Sequence, residues 1–189
     1  MQMSSNITFA SSNENKFKEI KNILINFGLE VKFLRCHLQE IQSNNLEDIA
    51  KHKALDAFSI CSTPVIIEDD GLFIKSLNGF PGPYSSFVYD TIGNKGILRL
   101  LSRQREAIFR SIIAYCEYDK NVHMFSAKVQ GKISEKEFGK RWGFDPIFIP
   151  LGQNLSYSQI KEKNQISHRY MALKKFANWY LNKRKSTGS

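Results

Sequence analysis

Residues 6–34 read NITFASSNENKFKEIKNILINFGLEVKFL, and the pattern changes twice along them. Asn6 to Ala10 is a short run of β-formers that stops at the turn-forming cluster Ser11-Ser12-Asn13. Phe17, Ile20, Ile23, Leu24 and Phe27 then recur at the three-and-four spacing of one helical face, and Gly28 suits the end of that helix. Glu30 to Leu34 returns to a β-prone run. Strand, helix and strand in that order predict a βαβ unit and an α/β fold.

Downstream, Leu46, Ile49, Ala50, Ala54, Ala57 and Phe58 predict a second amphipathic helix. Pro64 introduces Val65-Ile66-Ile67, an apolar run suited to a buried strand, with Glu68-Asp69-Asp70 expected at its C-terminal end. NGFPGPYS at 78–85 predicts an ordered, turn-rich loop, followed by a helix near Asn94 to Ser102. Ala107 to Tyr118 and His123 to Ile133 predict the two long strands of a hairpin that turns across Asp119-Lys120-Asn121. Trp142 to Pro150 predicts a loop and a strand, and Ser167 opens a last helix carrying Ala172, Phe176, Ala177, Trp179 and Tyr180. No repeat or linker divides the chain, so one domain is expected over residues 1–182, with a basic, flexible tail at 183–189.

The 189 residues are 42% apolar and 12% aromatic, enough for a sizeable core and incompatible with general disorder. No apolar run approaches the roughly 18 residues of a membrane span, and MQMSSNITFASSN lacks the parts of a secretory signal. A cytoplasmic protein with no membrane partner is the expectation. Cys36, Cys61 and Cys116 lie far apart without a CxxC pair and read as buried thiols. Lys and Arg number 27 against 18 Asp and Glu, a net charge of +9, but they are scattered. The one dense run, Lys183-Arg184-Lys185, reads as a solvated tail, and no nucleic-acid partner is expected.

Four segments bear on chemistry. SSNENK at 11–16 joins the first strand to the first helix; it suits either a Ser/Asn-capped helix or a cradle of backbone N–H groups for phosphate. It lacks the glycines and the Gly-Lys-Ser/Thr ending of a Walker loop. Glu68-Asp69-Asp70 suits either a solvated acidic turn or oxygen ligands for Mg²⁺, which takes one or two carboxylates plus phosphate oxygens. Glu40 stands where it can approach the same cleft. Lys53 falls on the apolar face of the second helix, where it either snorkels or meets an anion. Ser167-His168-Arg169 suits either a capped surface helix or a pair of donors aimed at a carbonyl or phosphate.

Taken in order, SSNENK, EDDGL at 68–72, GFPGPYS at 79–85, WGFDPIF at 142–148 and EKNQISHR at 162–169 resemble the inosine triphosphate pyrophosphatase, or Ham1-like, family, with GFPGPYSSFVYDTIGNKGILRLL most similar to its archaeal branch. The resemblance implies Mg²⁺-dependent hydrolysis of a nucleoside triphosphate to the monophosphate and pyrophosphate, with preference for ITP, dITP and XTP. It further implies an elongated mixed β-sheet flanked by helices, two lobes with a cleft between them, and a homodimer. By position, Ser11, Ser12, Asn13 and Lys16 match the phosphate-binding loop, and Lys53 matches a lysine facing the phosphates. Glu40 and Asp69 match the metal-binding carboxylates, and Asp69 also matches the general base. Trp142, Gly143, Phe144, Asp145, Lys163, His168 and Arg169 match the nucleoside pocket, with Phe144 at the stacking position. Two positions depart from the pattern: Ser12 replaces a glycine, and Asp70 replaces a Ser or Thr, adding a negative charge at the substrate site. Two rivals stay open: a Maf-type pyrophosphatase of other base preference, and a non-catalytic nucleotide- or RNA-binding relative.

Overall fold

The computed structural model describes residues 6–187, so the chain's first five residues and the last two of the expected tail lie outside the described residues. Strand β1 (Asn6–Ser11), helix α1 (Glu14–Leu24) and strand β2 (Glu30–Arg35) form the expected unit, with β1 and β2 parallel from Asn6 opposite Glu30 to Ser11 opposite Arg35. Asn13 starts α1: its Oδ1 accepts from the backbone N–H of Asn15 (2.9 Å) and Lys16 (3.1 Å), two donors with no partner inside the helix. A short 3₁₀ turn at Ile25–Phe27 follows, and Gly28 closes it in the left-handed region at φ 72°.

Helix α2 (Leu46–Cys61) leads to β3 (Val65–Ile74), which lies parallel to β1 on the side away from β2. Here the structure corrects the sequence reading. The strand does not stop at Ile67 but runs for ten residues, so Glu68, Asp69 and Asp70 sit in its middle, not at its end or in a turn. The reason is a continuous antiparallel partner: β5 (Glu106–Cys116) pairs with β3 from Val65 opposite Cys116 to Ile74 opposite Ala107, giving the acidic residues ordinary backbone partners.

The expected loop after β3 contains the two-residue strand β4 (Pro81–Gly82), paired with β3, and leads into helix α3 (Ser85–Thr91), which the sequence reading did not foresee. Helix α4 (Gly93–Leu100) precedes β5, and β6 (Val122–Ile133) completes the expected hairpin in register with β5 from Cys116 opposite Val122 to Glu106 opposite Lys132. Strand β7 (Phe148–Pro150) closes a mixed sheet of order β2-β1-β3-β5-β6-β7. Helices α5 (Lys163–Ile166) and α6 (His168–Thr187) complete the chain.

One face of the sheet packs against α1 and α6 through Phe9, Ile20, Ile66, Ile113 and Phe176. The other packs against α2 through Ala50, Ala54, Ile67 and Ile112. A third cluster, around Leu72, Ile97, Phe109 and Phe148, fills the far end of the long strands. Because side chains alternate along a strand, Glu68 and Asp70 follow Ile66 toward α1 and α6, whereas Asp69 follows Ile67 toward α2. Two smaller expectations need correcting. Only Cys116 is buried, while Cys36 and Cys61 are half-buried at the edge of the α2 cluster. Lys183-Arg184-Lys185 continues α6 instead of beginning a tail, held where Lys183 Nζ reaches Glu117 Oε2 at 2.6 Å and lies 5.2 Å from the Trp179 ring centre. Among the described residues no helix is long and apolar enough to cross a membrane.

Candidate active site

The C-terminal end of β1, the start of α1, α2, the middle of β3, α3 and the start of α6 border one cleft of about 970 Å³. It brings together the separate segments singled out in the sequence: Ser11, Ser12, Asn13, Lys16, Glu40, Lys53, Asp69, Asp70, Trp142, Gly143, Phe144, Asp145, Lys163, His168 and Arg169 all line it. Where β1 meets α1, the Ser11 hydroxyl accepts from the Asn13 N–H (3.1 Å). Among the described residues the non-glycine positions with positive φ are Ser62, Asn78 and Lys120, so Ser12 sits in the loop without the backbone conformation that favours glycine.

The alternation of β3 splits the charges into two groups. On the α2 side, Lys53 Nζ lies 3.0 Å from Asp69 Oδ2 and 2.5 Å from Glu40 Oε1, which explains a lysine on an apolar helical face. Burial raises the pKa of Asp69 against the pull of Lys53 and Lys16. Glu40 itself stands in an irregular segment with its side chain largely exposed.

On the α1 and α6 side, Lys16 Nζ lies 3.0 Å from Glu68 Oε2 and 3.1 Å from Asp70 Oδ1. Arg169, fully buried, faces three carboxylates: Nη1 donates to Glu19, Nη2 to Asp70, and Nε lies 3.1 Å from Glu68 Oε1. The Ser111 hydroxyl donates to Glu68 Oε1 at 2.6 Å. Asp70 is thus a neutralised charge: burial opposes its ionisation, but Lys16 and Arg169 hold its carboxyl well below the usual range.

Lys163, on α5, is buried between Asp145 (2.7 Å) and Glu19 (2.9 Å), and Trp142 Nε1 donates to the same Glu19 oxygen (3.1 Å). The Arg169 guanidinium carbon lies 5.3 Å from the Trp142 ring centre. Gly143 turns this segment at φ 66°. Phe144 is almost fully buried and meets Tyr89 of α3 edge-on at 5.6 Å, so the ring stands in the wall of the cleft. His168 stacks on Phe109 (3.9 Å between centres, 13° between planes). Neither of its buried ring nitrogens has a hydrogen-bond partner, and burial lowers its pKa, keeping the imidazole neutral at pH 7.

The sequence reading missed Glu19 and assigned no role to Glu68 within the trio. Glu19 lies three residues after Lys16, one helical turn along the same face of α1, a spacing that would have pointed it into the cleft. Its role as the shared acceptor of Trp142, Lys163 and Arg169 depends on partners more than 120 residues away, which no local pattern exposes.

Two observations bear on a metal ion. Glu40 and Asp69 already converge on one cation, the Lys53 ammonium. The ion-paired groups around the cleft are Lys16, Arg35, Lys53, Lys163 and Arg169 against Glu14, Glu19, Glu40, Glu68, Asp69, Asp70 and Asp145, an excess of two negative charges. That excess fits a divalent cation. Among the described residues no group of three or more His, Cys, Asp or Glu side chains forms a complete metal site, so the fit is to a hard ion that takes part of its shell from phosphate and water.

The profile of the Ham1 family matches residues 7–179. The chain is 45% identical over 181 residues to a dITP/XTP pyrophosphatase of Methanopyrus kandleri, covering 93% of this chain and 96% of the relative. It is 42% identical over 178 residues to one of Thermococcus kodakarensis, covering 92% and 96%. The Ham1 protein of Staphylococcus aureus superposes with a TM-score of 0.79 at 26% identity, over 95% of this chain and all of that one. A HAM1 protein from Coxiella burnetii gives the same TM-score at 27% identity, over 94% and 99%. With its profile matched over nearly the whole length and relatives of this similarity, the chain belongs to the Ham1 family.

Proposed function

We propose that the protein is a Mg²⁺-dependent nucleoside triphosphate pyrophosphatase that converts ITP, dITP and XTP to the monophosphate and pyrophosphate in the cytoplasm. The name dITP/XTP pyrophosphatase carried by relatives 39–45% identical supports the reaction and the substrate class. The observation that carries the base preference is His168, whose buried ring nitrogens lack a partner beside the cleft. A neutral imidazole can donate to a 6-keto oxygen, and Arg169 retains N–H groups beyond those used by its carboxylates. Adenine, with an amino group there, would leave that donor unpaired in a buried site.

In this reading Ser11, Ser12, Asn13 and Lys16 bind the phosphates from the α1 side and Lys53 from the α2 side. Trp142, Gly143, Phe144 and Asp145 hold the base together with Lys163. Magnesium, held by Glu40 and Asp69, would supply neutralisation and polarisation of the triphosphate. Asp69, with its pKa raised by burial, orients the attacking water and takes its proton, and Lys16 and Lys53 offset the charge that develops on the departing pyrophosphate. Most of the rate enhancement is positioning and electrostatics. The described residues act as one domain. A homodimer is also part of the proposal, supported by the exposed apolar side chains Phe80, Phe87, Ile92 and Leu100 around α3 and α4.

The test is pyrophosphate release from ITP, XTP, dITP, GTP and ATP, each with Mg²⁺ and with chelator, together with sedimentation equilibrium for the dimer. Metal-dependent release that favours ITP, dITP and XTP is expected. Equal release from ATP, or none from any of them, would overturn the proposal.

A further inference from the structure

We propose that Asp70 is an internal anion that pairs with Lys16 until a triphosphate binds and then yields it to a phosphate. This rests on the reading of the cleft as a triphosphate site. The two carboxylates that hold Lys16 are not equivalent. Glu68 has a fully buried side chain, fixed by the Ser111 hydroxyl and Arg169 Nε, and acts as a permanent counter-charge. Asp70 retains 15% of its side-chain exposure and lines the cleft beside Lys16, which retains 14%.

Its carboxylate is held at one oxygen and engaged at the other. Oδ2 accepts from Arg169 Nη2 and lies 3.8 Å from His168 Nε2, while Oδ1 lies 3.1 Å from Lys16 Nζ. The Asp70 N–H donates to Asp69 Oδ1 at 3.1 Å, which further limits movement of the residue. Asp70 therefore keeps its charge near Lys16 whether or not a ligand is present. A phosphate oxygen in contact with the ammonium stands within about 6 Å of Asp70 Oδ1, well inside the range over which like charges repel. Asp70 is a competitor for Lys16 and a source of repulsion for what replaces it. The same exchange in reverse recaptures Lys16 as pyrophosphate departs. Asp70 is a positioning residue, acting through Lys16 on both affinity and release.

The test measures binding of inorganic tripolyphosphate and of pyrophosphate by calorimetry in chelator, so that no metal contributes. The proteins are the unaltered chain, Asp70→Asn, Asp70→Ser and the charge-retaining Asp70→Glu, with KM and kcat for ITP measured separately in Mg²⁺. Asp70→Asn and Asp70→Ser are expected to bind both anions about tenfold more tightly. Their KM for ITP falls with no rise in kcat, and Asp70→Glu shows no tightening. A residue that only supports the fold would instead raise KM and lower kcat when replaced. Unaltered protein that binds tripolyphosphate and hydrolyses ITP, with Asn and Ser variants that bind no tighter, overturns the role of Asp70 alone. Tightening in Asp70→Glu, or failure of both neutral variants to fold in a thermal melt, overturns it too. If neither the unaltered protein nor the neutral variants bind tripolyphosphate and the unaltered protein leaves ITP intact, the triphosphate reading falls with it.

Discussion

Glu19→Gln should destabilise the protein by about 3 kcal/mol at neutral pH and by almost nothing near pH 2. The Glu19 side chain is 14% exposed and accepts from Trp142 and Lys163 through one oxygen and from Arg169 through the other. Burial works against its ionisation, but Arg169 and Lys163 outweigh burial and hold the carboxyl at about 2, against an ordinary 4.5. That difference of about 2.5 units, at 1.36 kcal/mol each, is about 3 kcal/mol favouring the folded state. The unfolded chain takes up the proton below about pH 4.5 and the folded chain not until about 2. The contribution is therefore complete above pH 5 and is lost as pH falls toward 2. Gln keeps the size and one acceptor but has no charge to lose. Urea denaturation of both proteins at pH 7, 5, 4 and 3 should give a gap that narrows as the pH falls, which cancels the titration of every other carboxylate. A gap below ~1 kcal/mol at pH 7, or one that stays constant down to pH 3, would refute the reasoning.

Three further outcomes are expected. Asp69→Asn should lower turnover of ITP with Mg²⁺ by at least ~1,000-fold and leave the melting temperature near its original value; near-normal turnover would remove Asp69 from the chemistry. His168→Ala should reduce the ratio of ITP to ATP turnover by about 100-fold, mainly through ITP, as steady-state kinetics on both nucleotides would show. Gly71→Ala should cost about 1–3 kcal/mol in denaturant unfolding, because a Cβ on β3 would stand 2.7 Å from the Gly82 carbonyl oxygen of β4.

The opening βαβ unit, the second helix and the β5–β6 hairpin were readable because each carries its own period: two for strands, near three and a half for helices. Helices α3 and α5 were not, since seven and four residues are too few to show a repeating face. The end of β3 was misread for a different reason. Three acidic residues in a row look like a solvated turn, and only the full-length pairing with β5 makes them strand. Most candidate site residues came from ordered motifs and do line one cleft. Glu19 and Glu68 escaped because their importance lies in partners contributed by α5, α6 and β5.

The same strand that defeated the local reading explains how the chemistry is divided. A strand sends successive side chains to opposite faces, so three consecutive carboxylates that all line one cleft still meet different partners. Asp69 goes to the face of α2, where Lys53 and Glu40 wait; Glu68 and Asp70 go to the face of α1 and α6, where Lys16 and Arg169 wait. The buried acid proposed to handle water is thereby separated, by the thickness of one backbone, from the ion-paired network proposed to support the nucleoside. Had the trio formed a solvated turn, water would screen all three acids and take away the burial that raises the Asp69 pKa. Burial within a ten-residue strand raises its pKa, so the extended pairing of β3 with β5 sets the surroundings of the proposed base.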